Sequence, residues 1–143
     1  MPPCRGTCDR GAVAAVDTNV LVRLLVADDH GQHREALKRL TALREKGEQV
    51  FVSSVVLAEL SWVLDAAYGL GRARIAEALG LVLETEPFEV EDRHAVKKAL
   101  EDYAAGPSSF SDYLVVALAA DRNQLPVLTF DKKLQRHEGC ERP

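Results

Sequence analysis

The sequence predicts an α/β fold, a parallel sheet with helices on both faces, held in one domain. Two observations carry that expectation. Short apolar runs at residues 12–16, 49–53 and 126–130, with a weaker one at FEV (88–90), alternate with longer stretches whose apolar residues recur at helical spacing. Such alternation of strands with helices or helical pairs is the mark of a parallel sheet. At 143 residues the chain is also long enough for one substantial core, and no linker, repeat or low-complexity segment divides it.

Composition narrows the class. A hydrophobic content of 47% with 28% charged residues is that of a globular protein. No apolar run reaches membrane-spanning length, and MPPCRGTCDRG lacks the apolar middle of a secretory signal. A cytoplasmic protein without a membrane partner is expected. Three cysteines, Cys4, Cys8 and Cys140, close no disulfide framework and read as incidental; Cys4 and Cys8 lack the second pair that a zinc site requires. The net charge of −4 opposes nucleic-acid binding by the whole surface, so such a partner needs a local basic patch.

In order, residues 1–11 have no periodicity and read as a flexible extension or an over-extended gene start. A buried strand over about Ala12–Val16 stops at Asp17, and Val20, Leu21, Leu24 and Leu25 open a helix to about Ala27. Asp28, Asp29 and Gly31 break the chain before a second helix over 33–47, with Ala36, Leu37, Leu40 and Leu43 inward and a basic outer face. QVFVS is a strand, after which Ser53 or Ser54 caps a helix from about Val55 to Tyr68. Val56, Leu60, Val63 and Leu64 form its core stripe, and Trp62 is expected in the core or at a dimer interface. Gly69 and Gly71 end that helix, 72–85 reads as another, and FEV follows Pro87. Residues 91–106 form an amphipathic helix that begins with acids, as the helix dipole favours. Loop GPSSF leads into the most apolar helix, with Asp112 in its first turn. The strand PVLTF ends at Asp131, DKKLQRH is a short helix, and EGCERP is too polar to be read as a strand.

Four acids stand out: Asp17, Glu59, Asp112 and Asp131. Asp17 and Asp131 both follow apolar strands, which in a parallel sheet puts them at one edge, where ligands bind in open α/β sheets. Asp112 starts the helix preceding the second of those strands. Capping explains each aspartate taken singly; it does not explain Glu59, a mid-helix acid beside an apolar stripe. Four carboxylates converging at one edge repel unless a cation neutralises them, and a hard, oxygen-seeking ion, Mg²⁺ or Mn²⁺, suits carboxylates without His or Cys. Such an ion activates water against a phosphodiester. Thr18, Asn19 and Thr129 offer short polar side chains to hold the acids.

At these residues the chain resembles a PIN-domain ribonuclease, and within that group a VapC-type toxin of a toxin–antitoxin pair. VDTNVLVRLLVADD, SSVVLAELSWVLDAAYGL, FSDYLVVALAA and VLTFDKKL carry the resemblance, from about Val16 to Leu134. It implies a three-layer α/β/α PIN-like domain over residues 12–143, Mg²⁺- or Mn²⁺-dependent endoribonuclease activity, a homodimer, and neutralisation by a VapB-type antitoxin. It also implies that Asp17 and Asp112 ligate metal directly, while Glu59 and Asp131 complete the pocket through metal-bound waters. Departures from the pattern are the N-terminal extension, Ser109 where an acid often precedes the Phe, and the missing apolar final strand.

Candidate phosphate contacts for an RNA substrate are Arg23, Arg72, Arg74, Lys132, Lys133 and Arg136. Two other classes compete with the nuclease. A non-catalytic module that binds RNA or protein would have no reason to keep a self-repelling cluster. A receiver-like phosphoacceptor would need a lone Asp after its third strand, where this chain has Glu91 and Asp92.

Overall fold

The computed structural model describes residues 11–143, so the N-terminal extension, apart from Gly11, and with it Cys4 and Cys8, lies outside the described residues. The chain divides into two compact units. One runs to Leu60 and takes in Leu81–Glu91; the other holds Ser61–Gly80 and Asp92–Pro143. The architecture is the α/β class that the alternation of strands and helices predicts, with every described strand pairing parallel.

In the first unit, β1 (Ala12–Ala15) is followed by α1 (Thr18–Val26), α2 (His30–Glu45) and β2 (Gln49–Val52), and β3 (Phe88–Val90) completes a parallel sheet of order β1-β2-β3. β2 is central, and its Val50 and Val52 are fully buried. Leu40 and Leu43 of α2 pack on Val50, with Val16, Val20, Leu24 and Phe88 around them. β1 is not the buried strand expected from its Val and Ala content. Among the described residues it pairs with β2 alone, its Val13 is 56% exposed, and Val16 N donates to Phe51 O as it leaves the sheet. α2 begins three residues before the expected start because Asp29 caps it, accepting from Gln32 N at 2.9 Å, and Gly31 is taken into its first turn. Leu37, expected inward, is 49% exposed.

α3 (Ser54–Ala66) and α4 (Arg72–Glu84) each contribute residues to both units. The buried stripe of α3 is Leu57, Leu60, Ser61 and Leu64, so it runs slightly round from the expected one; Trp62 is 66% exposed and is no core residue. The acids expected to favour the helix after β3 act otherwise. Asp92 at its N-cap makes no side-chain cap bond, while Glu91 Oε1 accepts from the Ser54 amide at 2.9 Å and from the Ser54 hydroxyl at 3.1 Å, tying the start of α3 to the end of β3.

In the second unit, α5 (Arg93–Ala105) packs on α6 (Phe110–Asp121) through Ala95, Val96, Ala99 and Tyr103 on one side and Phe110, Tyr113, Leu114 and Ala117 on the other. The edge-to-face pair of Tyr103 and Phe110, 6.2 Å between centroids, sits in this seam. β4 (Val127–Leu128), α7 (Lys132–Gln135) and β5 (Cys140–Glu141) close the chain. The final strand that the polar EGCERP did not suggest is thus present, paired parallel to β4 with Val127 opposite Cys140. Its Cys140 is not incidental: it is buried with Val116 and Leu134 under Val127.

Candidate functional site

Asp17, Thr18, Asn19 and Glu59 belong to the first unit. Asp17 follows β1 in extended conformation and caps α1, its Oδ1 accepting from Val20 N at 3.3 Å. The next residue, Thr18, is buried, and its hydroxyl donates to Glu59 Oε1 at 2.5 Å across 41 residues of sequence. Glu59 itself is exposed on α3 between buried Leu57 and Leu60. A mid-helix carboxylate with no capping duty is thus held by the residue adjacent to Asp17. The start of α3 is fixed in turn by Ser53, whose Oγ accepts from Val56 N at 3.1 Å.

Beside Asp17 opens a cleft of about 510 Å³ whose polar lining is Asp17, Asn19, Arg23, Gln32, Glu35 and Arg39. Arg23 is partly engaged there, its Nε donating to Gln32 Oε1 at 2.6 Å and its Nη1 standing 3.4 Å from Asp28 Oδ1.

Asp112, Thr129 and Asp131 belong to the second unit. Asp112 is the third residue of α6 and closes a capping box. Its amide donates to Ser109 Oγ at 3.1 Å, and its Oδ2 accepts from Ser109 N at 3.3 Å. Ser109, where the resemblance led one to expect an acid, is therefore the N-cap. Asp131 caps α7, its Oδ1 accepting from Lys133 N at 2.8 Å and Leu134 N at 3.2 Å. Thr129 supports Asp131 through the backbone, its hydroxyl accepting from Asp131 N at 3.0 Å. Lys132, Lys133 and Arg136 are exposed alongside. Arg74 is exposed on α4, with Glu77 at 4.0 Å. Arg72 differs from these, because its guanidinium is engaged within the chain by three backbone carbonyls.

The capping roles and the candidate roles coincide: each aspartate uses one carboxylate oxygen to hold backbone N–H groups at a helix start. Among the described residues no group of three or more His, Cys, Asp or Glu side chains is placed to hold a metal ion. Burial, and secondarily the charge of Asp112, pushes the Cys140 thiol above its ordinary value. Burial likewise raises the Tyr103 phenol, with Arg72 opposing and Asp65 adding to the shift. The sequence offered no signal for the Arg72 contacts or the Glu91 cap, whereas S-x-x-D at Ser109–Asp112 was a readable capping box.

A family model described as the PIN domain matches residues 14–139. A VapC ribonuclease of Aquifex aeolicus (strain VF5) is 27% identical over 122 residues, which cover 85% of this chain and 89% of that relative. No solved structure matches the chain.

Proposed function

The chain belongs to the PIN-domain family, and on that premise we propose that it is a metal-dependent endoribonuclease acting as the toxin of a toxin–antitoxin pair. The similarity to a VapC ribonuclease supports the activity and the toxin role. The structural observation that carries the reading is the hydrogen bond from Thr18 to Glu59. It ties Glu59, an acid that caps no helix, to the residue that follows Asp17, an arrangement that capping alone does not explain and that supports a role for both acids in one site.

Asp17, Glu59, Asp112 and Asp131 are the residues proposed to hold Mg²⁺ or Mn²⁺. Their chemistry fits a hard ion, since all donors are carboxylate oxygens. A divalent ion held there would supply Lewis acidity toward water and the phosphodiester. Thr18 orients Glu59, Ser109 orients Asp112, and Thr129 fixes the backbone of Asp131. Arg23 at the cleft, with Lys132, Lys133, Arg136 and Arg74, would meet the RNA backbone and supply the local positive charge that the acidic chain otherwise lacks. A VapB-type antitoxin, a homodimer and a cytoplasmic setting complete the proposal. No helix among the described residues is long and apolar enough to cross a membrane.

A second reading, a non-catalytic PIN module that binds RNA or protein, is favoured by the lack of a ready-made three-ligand group among the described residues. One experiment separates the two: incubation of a structured RNA pool with the purified chain in Mg²⁺, Mn²⁺ or chelator, beside Asp112→Asn. Metal-dependent cutting that the variant lacks establishes the ribonuclease. Equal inertness of both proteins, with RNA binding retained, establishes the binding module.

A further inference from the structure

Arg72 is the first residue of α4, and its Nη2 donates to the carbonyl oxygens of Tyr103 at 2.7 Å, Gly106 at 2.5 Å and Ser108 at 2.8 Å. Its guanidinium carbon lies 4.0 Å from the centroid of the Tyr103 ring. These carbonyls belong to the last turn of α5 and the loop after it, where a helix leaves orphan acceptors and partial negative charge. The two N–H groups of this one nitrogen are shared among the three oxygens, and stacking on Tyr103 fixes the plane of the guanidinium.

The same loop is tied at a second point, for Ser108 N donates to the Tyr113 hydroxyl at 3.2 Å. Ser108 Oγ is buried without a hydrogen-bond partner, so it is the loop's backbone and not this side chain that is held. One residue further on, Ser109 N donates to Asp112 Oδ2 and Ser109 Oγ accepts from Asp112 N. The chain of contacts therefore runs from Arg72 through Gly106–Ser109 to one carboxylate oxygen of Asp112.

We infer that Arg72 is a positioning residue: it fixes the Gly106–Ser109 loop, and the loop fixes the orientation of the Asp112 carboxylate. The consequence for cleavage rests on the ribonuclease reading above; the ordering of the loop does not. Arg72→Met keeps the aliphatic stem and removes the donors, while Arg72→Lys restores a cation.

Amide hydrogen exchange in the full chain reads the ordering directly. In Arg72→Met the amides of Ser108, Ser109 and Asp112 are expected to exchange at least ten times faster, with interior α6 amides such as Val116 at the wild-type rate. RNA cleavage is expected to lose about ten-fold in kcat with KM unchanged, and Arg72→Lys to recover part of both effects. Wild-type exchange at the amides of Ser108, Ser109 and Asp112 overturns the inference, as does faster exchange there with unchanged kcat. If Arg72→Met loosens every amide alike, the same readouts on Arg72→Lys decide. A wild-type chain that cuts no RNA removes the ribonuclease reading alone, and the exchange rates still decide whether Arg72 orders the loop.

Discussion

Substituting Gly106 by Ala tests how tightly the loop before α6 is packed. Gly106 has a φ of −122°, a conformation that any residue adopts, so the backbone raises no objection. The loss of glycine's freedom in the unfolded chain would by itself stabilise by about 0.4–1 kcal/mol. Space decides the sign. A Cβ at this position collides with the Tyr113 hydroxyl and lies 3.0 Å from Tyr113 Cζ and 3.2 Å from the Asp102 carbonyl oxygen. Tyr113 cannot swing aside cheaply, being 2% exposed, edge-on to the His137 ring at 5.1 Å and bonded to Ser108 N. Overpacking of this kind costs about 1–3 kcal/mol. Set against the entropic gain, the net loss is roughly 1–2 kcal/mol, or about 3–6 °C in Tm for a chain of this size. Urea and thermal unfolding of Gly106→Ala, Tyr113→Phe and the double variant measure it. Tyr113→Phe alone loses the Ser108 bond, about 1 kcal/mol, but in its background the added methyl meets no hydroxyl and the penalty is expected to shrink by about 1 kcal/mol. A Gly106→Ala variant as stable as wild type, or a penalty equal in both backgrounds, refutes the packing argument.

Three further outcomes are expected. Ala27 ends α1 in the left-handed conformation at φ 56°, where glycine carries no Cβ strain, so Ala27→Gly should stabilise by about 1 kcal/mol; a lower urea midpoint would contradict this. Thr18→Val removes the donor to Glu59 and should cost about 1 kcal/mol, with cleavage falling by more than stability explains; unaltered cleavage at full folding would detach Glu59 from the reaction. Burial and the Asp112 charge raise the Cys140 thiol. The pH profile of its alkylation in the native chain, read on its own peptide by mass spectrometry, should therefore have a midpoint above that of the same peptide in the unfolded chain. Because the folded value is the higher one, the linked stability is full below the unfolded thiol value of about 8.5 and is lost as pH rises through the folded value. A midpoint at or below the unfolded value would remove the effect.

Local chemistry made much of this protein legible from residues alone. Asp17 and Asp131 announce helix starts because a capping residue binds amides only two or three positions away. The order of strands and helices follows from periodicity for the same reason, since an element's own repeat sets which face it can bury. What periodicity cannot say is whether anything covers that face. Val13, Leu37 and Trp62 fit apolar patterns and are exposed, and β1 reads as buried although among the described residues it pairs with β2 alone. The final strand was hidden for the converse reason: β5 is held to β4 by backbone bonds such as Val127 N to Gly139 O, which no side-chain polarity reports. The long-range pairings lay furthest from view. Thr18 and Glu59 are 41 residues apart, Ser54 and Glu91 are 37, and Arg72 and Ser108 are 36. A hydrogen bond between residues so distant has no local signature. The sequence by itself therefore marked the acids and their near supports, Ser109 three residues from Asp112 and Thr129 two from Asp131, and only tertiary folding decided that Thr18 turns to Glu59 and Arg72 to the loop before Asp112.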